Sequence, residues 1–282
     1  MDFISPNADR LAIISELLKE GSLEFKIIEI GGNRHIVIAP PPPEEKFLRR
    51  PAVMLVAHYD RAEGSPGAND NSCGVFILLE TAAKLKKAGV HNWIIIFTDK
   101  EELKPSEGIQ AQGAYALAVG LKSLKFENHK IFSFDACGTG DTLIISTTLE
   151  YLLKKEGGGE KLRESTMELR DIALDTARNL GMKKVLLSPT PFSDDVGFFR
   201  AGLAAQTITM LPSEECIQLV SELRKNQEYA DVLISSEQRK NSRLQFIPDT
   251  WRSLNTPTDS YLRLTPPHFR AVVRFAEALC RG

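Results

Sequence analysis

Three nearly continuous apolar runs stand out along the chain, at residues 52–57, 93–97 and 131–134. A strand with one wet face alternates apolar and polar residues, so unbroken runs of this length predict strands buried on both faces of a parallel sheet. Between them, apolar positions recur at helical spacing over residues 75–87 and roughly 110–121. Strand, helix, strand in alternation is the pattern of an α/β sheet with right-handed crossovers. Upstream, Leu11, Ile14, Leu17 and Leu18 mark a helix over 9–20 that stops at Gly21. Runs 25–30 and 35–39 flank the turn residues Gly31-Gly32-Asn33 and predict a hairpin, and the prolines at 40–43 predict an extended loop. Downstream the pattern predicts an edge hairpin strand at 142–146, a long amphipathic helix over 160–180, strands near 184–187 and 204–210, and a closing helix over 270–279.

A chain of 282 residues can bury a sizeable core. The pattern fits one sheet-centred unit over 1–282, with the charged stretch 212–252 as an insertion above the sheet. Lys and Arg number 35 against 37 Asp and Glu, and a net charge of -2 supplies no global attraction to nucleic acid or anionic membrane. No run approaches the ~20 apolar residues of a membrane span. Cys73, Cys137, Cys216 and Cys280 are scattered without zinc-type pairing and predict reduced thiols in a cytoplasmic protein.

In open α/β sheets ligands collect beyond the carboxyl ends of the strands. Here those ends carry His58-Tyr59-Asp60, Asp99-Lys100-Glu101-Glu102 and Asp135, and the loop entering the next helix carries Gly67-Ala68-Asn69-Asp70-Asn71. An isolated His-x-Asp reads as an ordinary surface histidine, but acidic groups at neighbouring strand ends change that reading. A carboxylate two residues from a ligand histidine can fix its tautomer, provided the chain bends to bring them together. Asp60, Asp70, Glu101, Glu102 and Asp135 in one cleft would be prohibitive without divalent cations.

The ordered set His58-x-Asp60, Gly-Ala-Asn-Asp70-Asn-x-x-Gly, Glu101-Glu102 and Asp135 resembles the two-zinc aminopeptidases, a family that also includes glutamate carboxypeptidases and glutaminyl cyclases. Pro191-Phe192-Ser193-Asp194 through Phe198 is similar to that family's Ser-Asp loop, and Asn255-Thr256-Pro257-Thr258-Asp259 to its closing His-Thr-x-x-Asp motif. The resemblance implies a three-layer αβα fold around a mostly parallel mixed sheet, of the phosphorylase/hydrolase-like zinc exopeptidase kind. It implies two zinc ions bridged by Asp70, with His58 and Asp135 completing one position and Glu102 serving the other. Glu101 would be the general base that takes a proton from water and returns it to the leaving amine, with Asp60 supporting His58. The implied activity is removal of N-terminal residues from peptides, because residual negative charge favours a terminal ammonium.

One position departs from the family. Where the resemblance expects a histidine beside Glu102, the chain has Asn255, whose amide oxygen is a poorer zinc ligand than imidazole. That departure opens the alternative of a catalytically impaired peptide-binding protein, and sets further back a glutaminyl cyclase, which depends on that histidine. His35, His91, His129 and His268 read as ordinary surface residues, and Cys73 and Cys137 as small buried filler without a histidine base. Gly138-Thr139-Gly140 and Gly157-Gly158-Gly159 lack the rest of a nucleotide loop, and Ser193 lacks a nucleophile elbow. The preferred terminal residue and the oligomeric state are not readable from the sequence.

Overall fold

The computed structural model describes residues 3–40, 52–104, 106–126, 128–226, 228–235 and 246–281. Its centre is an eight-stranded sheet of order β1-β2-β4-β3-β5-β8-β6-β7. The strands are β1 (Phe25–Ile30), β2 (Asn33–Ile38), β3 (Val53–His58), β4 (Trp93–Thr98), β5 (Lys130–Phe134), β6 (Thr142–Ser146), β7 (Val185–Ser188) and β8 (Gln206–Leu211). The middle strands β4, β3, β5 and β8 run parallel, while the β1–β2 hairpin and β6 join antiparallel.

The continuous apolar runs are explained by burial on both faces. Leu55 and Ala57 of β3 pack with α1 (Arg10–Glu20), α2 (Cys73–Lys87), α5 (Glu160–Asn179) and the C-terminal helix Pro266–Arg281. Met54 and Val56 of the same strand pack with α3 (Gly113–Ser123) and α6 (Asp194–Arg200) on the other face. The result is the expected αβα sandwich. Between β6 and α5 in the chain comes α4 (Thr148–Glu156), which the sequence pattern did not predict and which packs Leu149, Leu152 and Leu153 against Val196 and Phe199 of α6.

Several expectations need correction. The run 142–146 is not an edge hairpin strand: β6 lies between β8, antiparallel to it, and β7, parallel to it, and all five of its residues are buried. Its lack of polar alternation is that of an interior strand. Ser193 ends the Ser-Asp loop as the residue before helix α6, which carries Asp194 and Asp195 in its first turn. His35 is not a surface residue; it is fully buried, with Nδ1 accepting the Asp99 N–H at 3.3 Å, and burial pushes it down to about 4. Of the proline run, only Pro40 lies within the described residues.

The stretch 212–252 contributes α7 (Ser213–Lys225), α8 (Tyr229–Ile234) and the short helix Asp249–Ser253, with 227 and 236–245 outside the described residues. Leu219, Tyr229, Leu233, Ile247 and Trp251 pack on Ile144 and Leu211 of the sheet. That packing brings Trp251 and the residues after it over the carboxyl ends of the strands.

Candidate metal centre and active site

His58 ends β3, paired in register with Thr98 at the end of β4, while Asp135 follows β5 on the other side of β3. Parallel alignment therefore delivers three polar strand ends to one edge. The His58 side chain is fully buried, and its Nε2 lies 3.1 Å from Asp70 Oδ1 and 3.6 Å from Asp135 Oδ1. These approaches are close but oblique, and neither ring nitrogen has an aligned hydrogen-bond partner. One donor atom each from His58, Asp70 and Asp135 falls within 4.8 Å of the others. Burial works against a charged His58, but the surrounding carboxylates of Asp135, Asp60 and Asp70 outweigh it and push it well up.

Asp60 bends back as the sequence required. Its Oδ1 is 3.3 Å from His58 Nδ1, and its two oxygens accept the backbone N–H groups of Glu101 and Glu102, each at 3.0 Å. Lys100, in the left-handed region at φ 58°, turns the chain so that these N–H groups face Asp60. Burial alone would raise Asp60, but the His58 ring facing it and the two backbone donors hold it below the usual carboxylate range. One carboxylate thus sets both the histidine ring and the Glu101-Glu102 backbone.

Asp70 sits in an irregular wide turn, Ala68–Ser72, where Asp70 (φ -114°, ψ 87°) and Asn71 (φ -134°, ψ 41°) leave helical geometry; the Asp70–Asn71 peptide bond is cis. Three anchors hold this turn. Asp259 accepts the N–H groups of Asn69 and Asp70 at 2.9 and 3.0 Å. Asn71 Nδ2 donates to Phe134 O at 2.7 Å, and its Oδ1 accepts Gly74 N–H at 3.1 Å. A Cβ at Gly74 would stand 2.3 Å from Asn71 Oδ1 and 2.6 Å from Phe134 O, so only glycine permits this approach. The third anchor is Arg10, 5% exposed, which donates to the carbonyls of Phe3, Tyr59, Asp60, Pro66 and Gly67 and to Ser72 Oγ.

Asp70, Glu101, Asp135 and Asn255 line one small cavity with Thr190, Pro191, Phe192, Thr207, Thr209, Trp251 and Leu254. Its volume of about 30 Å³ suits a small ion or a water. Glu101 Oε1 accepts Gln112 Nε2 at 3.2 Å. Burial raises both Glu101 and Glu102 well above the usual carboxylate range. Glu102 does not join the tight His58 group, and its Oε1 is buried without a partner, as is Oδ1 of Asn255. A roomier cavity of about 490 Å³ opens at the other end of the strands among Lys122, His129 and Lys130, where the one carboxylate, Glu168, is paired with Lys130.

Sequence reasoning missed Arg10 as part of this neighbourhood, and named Asp194 and Asp259 within motifs without their tasks. Asp194 and Asp195 are fully buried beside the site, and burial raises each to about 7; Asp194 Oδ2 accepts Thr98 Oγ1–H at 2.7 Å. Arg10 left a signal, since it shares the buried stripe of Ile14 and Leu18 at four-residue spacing, where a cation stands out.

A buried imidazole between carboxylates at the carboxyl edge of a mixed αβα sheet has the donors to hold a divalent cation. Residues 37–259 match peptidase family M28, and the chain belongs to that family. It is 28% identical to aminopeptidase YwaD of Bacillus subtilis over 187 residues, which are 66% of this chain and 37% of that protein. Solved structures of similar fold include a leucine aminopeptidase precursor from Bacteroides thetaiotaomicron (TM-score 0.64, 15% identity, covering 99% of this chain and 92% of that one). Others are LapA aminopeptidase of Legionella pneumophila (TM-score 0.63, 14% identity, 96% and 64%) and the zinc aminopeptidase BSAP of Bacillus subtilis (TM-score 0.55, 21% identity, 87% and 49%). The chain thus spans little more than a third of the curated relative and about half of BSAP. No helix among the described residues is long and apolar enough to cross a membrane.

Proposed function

We propose that this protein is a zinc-dependent aminopeptidase that removes N-terminal residues from peptides. The observation that carries the reading is His58: a fully buried imidazole whose Nε2 is turned between the carboxylates of Asp70 and Asp135, at 3.1 and 3.6 Å, while its Nδ1 faces Asp60 at 3.3 Å. Three carboxylates gathered in a buried pocket around one imidazole are costly unless a cation completes the set. The donor set, one imidazole with carboxylates, fits zinc. His58, Asp70 and Asp135 would hold one ion, and Asp70 with Glu102 and Asn255 a second.

A divalent cation bound there polarises a peptide carbonyl and makes water a stronger acid. Glu101 is the residue poised to take that proton: its carboxyl lines the cavity, is steadied by Gln112, and has a proton affinity raised by burial. The same carboxyl then returns the proton to the departing amine. Asp60 acts as a positioning residue, holding the His58 ring and the backbone that carries Glu101. The excess of carboxylates around the cavity favours a substrate's terminal ammonium, and Phe192, Trp251 and Leu254 offer apolar walls for its side chain.

Peptides are the partners this reading requires. Four buried, free cysteines support a reducing, cytoplasmic setting. The packing of 212–252 on Ile144 and Leu211 supports one sheet-centred unit with an insertion over its active edge. The test is hydrolysis of a panel of amino-acid arylamides by protein of measured zinc content, beside the same substrates N-acetylated. Cleavage of the free-amine series, abolished by chelator and restored by zinc, is expected. Equal cleavage of the acetylated series would dismiss the aminopeptidase assignment, and retention of peptides without zinc or cleavage would favour a binding protein.

A further inference from the structure

The donors of this site are divided unevenly between its two sides. One nitrogen faces it, His58 Nε2, and that atom groups with Asp70 and Asp135. Outside that group, Glu102 Oε1 and Asn255 Oδ1 are buried oxygens left without partners. Asn255 lines the cavity beside Asp70, and of the charged groups around Glu102, Asp70 acts on it most strongly. No histidine lines this cavity; His35 and His129 turn their Nδ1 atoms to the N–H groups of Asp99 and Ala52.

Resting on the metallopeptidase reading, we propose that the centre is chemically split: His58, Asp70 and Asp135 form a zinc position, while Asp70, Glu102 and Asn255 form an oxygen-only position for a hard divalent cation of the manganese kind. Zinc gains most from imidazole and thiolate donors, whereas carboxylate and carbonyl oxygens suit magnesium, calcium and manganese. A position with no nitrogen surrenders most of zinc's advantage, and the more abundant hard ions then compete for it. Asn255 also has a backbone reason to be there, since its φ of 61° lies in the left-handed region that Asn and Gly tolerate. Two substitutions separate these reasons. Asn255→Gly keeps the backbone and removes the oxygen, and Asn255→His supplies a nitrogen.

The experiment reads metal binding and not turnover. Chelator-stripped protein receives one equivalent of zinc and is then titrated with Mn²⁺, whose free ion is followed by electron paramagnetic resonance, before zinc is added back in competition. We expect one zinc held through gel filtration and one further Mn²⁺ site, whose zinc-over-manganese preference is smaller than that of the first by ~100-fold. Asn255→Gly and Glu102→Gln should each weaken Mn²⁺ by ~10-fold or more with the first zinc retained, and Asn255→His should strengthen the second zinc by at least ~10-fold. A second zinc held as selectively as the first would overturn the proposal, as would Mn²⁺ binding unchanged in Asn255→Gly and Glu102→Gln. Failure to hold even the first zinc would instead bring down the metallopeptidase reading together with it.

Discussion

Asp60→Asn tests whether one carboxylate organises both halves of the site. In the parent, Asp60 faces His58 Nδ1 at 3.3 Å and accepts two backbone N–H groups at 3.0 Å, with its oxygens largely withdrawn from water. Asparagine has the same shape but one acceptor. Its oxygen can keep one N–H, as a neutral bond, while its own NH₂ confronts the other donor. Losing one charge-assisted bond and weakening a second costs about 2–3 kcal/mol, which should appear as reduced stability of the metal-free protein in urea. The imidazole also loses the partner that fixes its tautomer, and losses of that kind weaken zinc by ~10- to 100-fold. Chelator competition measures the affinity, and circular dichroism in urea measures the fold. Zinc affinity within about twofold of the parent, at unchanged stability, would refute the argument, because it would mean that the Asp60 contacts are incidental.

Glu101→Gln keeps the Gln112 contact within reach and removes only the proton acceptor, so zinc content should persist while arylamide turnover falls by ~10²-fold or more; unchanged turnover would dismiss Glu101 as the base. Arg10→Met removes the guanidinium bonds to five carbonyls and the Ser72 hydroxyl, Gly67 alone of the carbonyls keeping donors among the described residues, from Ser72; thermal unfolding should show a loss of at least about 3 kcal/mol. A fully folded Arg10→Met of parental stability would show that water replaces the guanidinium. Asp141 provides the pH test. Burial alone would raise it, but Lys184 and Ser213, whose N–H and Oγ–H lie at 2.9 and 2.8 Å, outweigh that and hold it at about 2. A folded value below the unfolded one stabilises above the unfolded value and is lost on the way down. Asp141→Asn should therefore cost about 1–2 kcal/mol near neutrality, a deficit that shrinks between pH ~4 and ~2 and is read from urea midpoints at each pH. A deficit that stays constant through that window would show the contribution to be packing and not charge.

The amino-acid sequence alone determined the α/β class and the identity of the polar strand ends. Runs such as 93–97 are apolar at every position only when both faces are covered, and in parallel strands the residue after each run must emerge at the same edge, so His58, Glu101, Glu102 and Asp135 were legible before any coordinates. Local patterns also placed α1, α2 and α5 to within a few residues. Tertiary structure decided the rest, because the deciding contacts join residues far apart in the chain. Arg10 reaches carbonyls 49 to 57 residues away, and Asp259 holds the turn at Asp70 across 189 residues. In the sequence Arg10 leaves only its place on the stripe of Ile14 and Leu18, and Asp259 only a charged letter; neither names its partners. His35 reads as polar and is buried, because its environment is set by β4 and not by its neighbours in β2. The interior place of β6 depended on two partner strands that come later in the chain. Whether a carboxylate clamps a backbone, faces an ion or bonds a threonine is a matter of ångströms between distant segments, and periodicity carries no information at that scale.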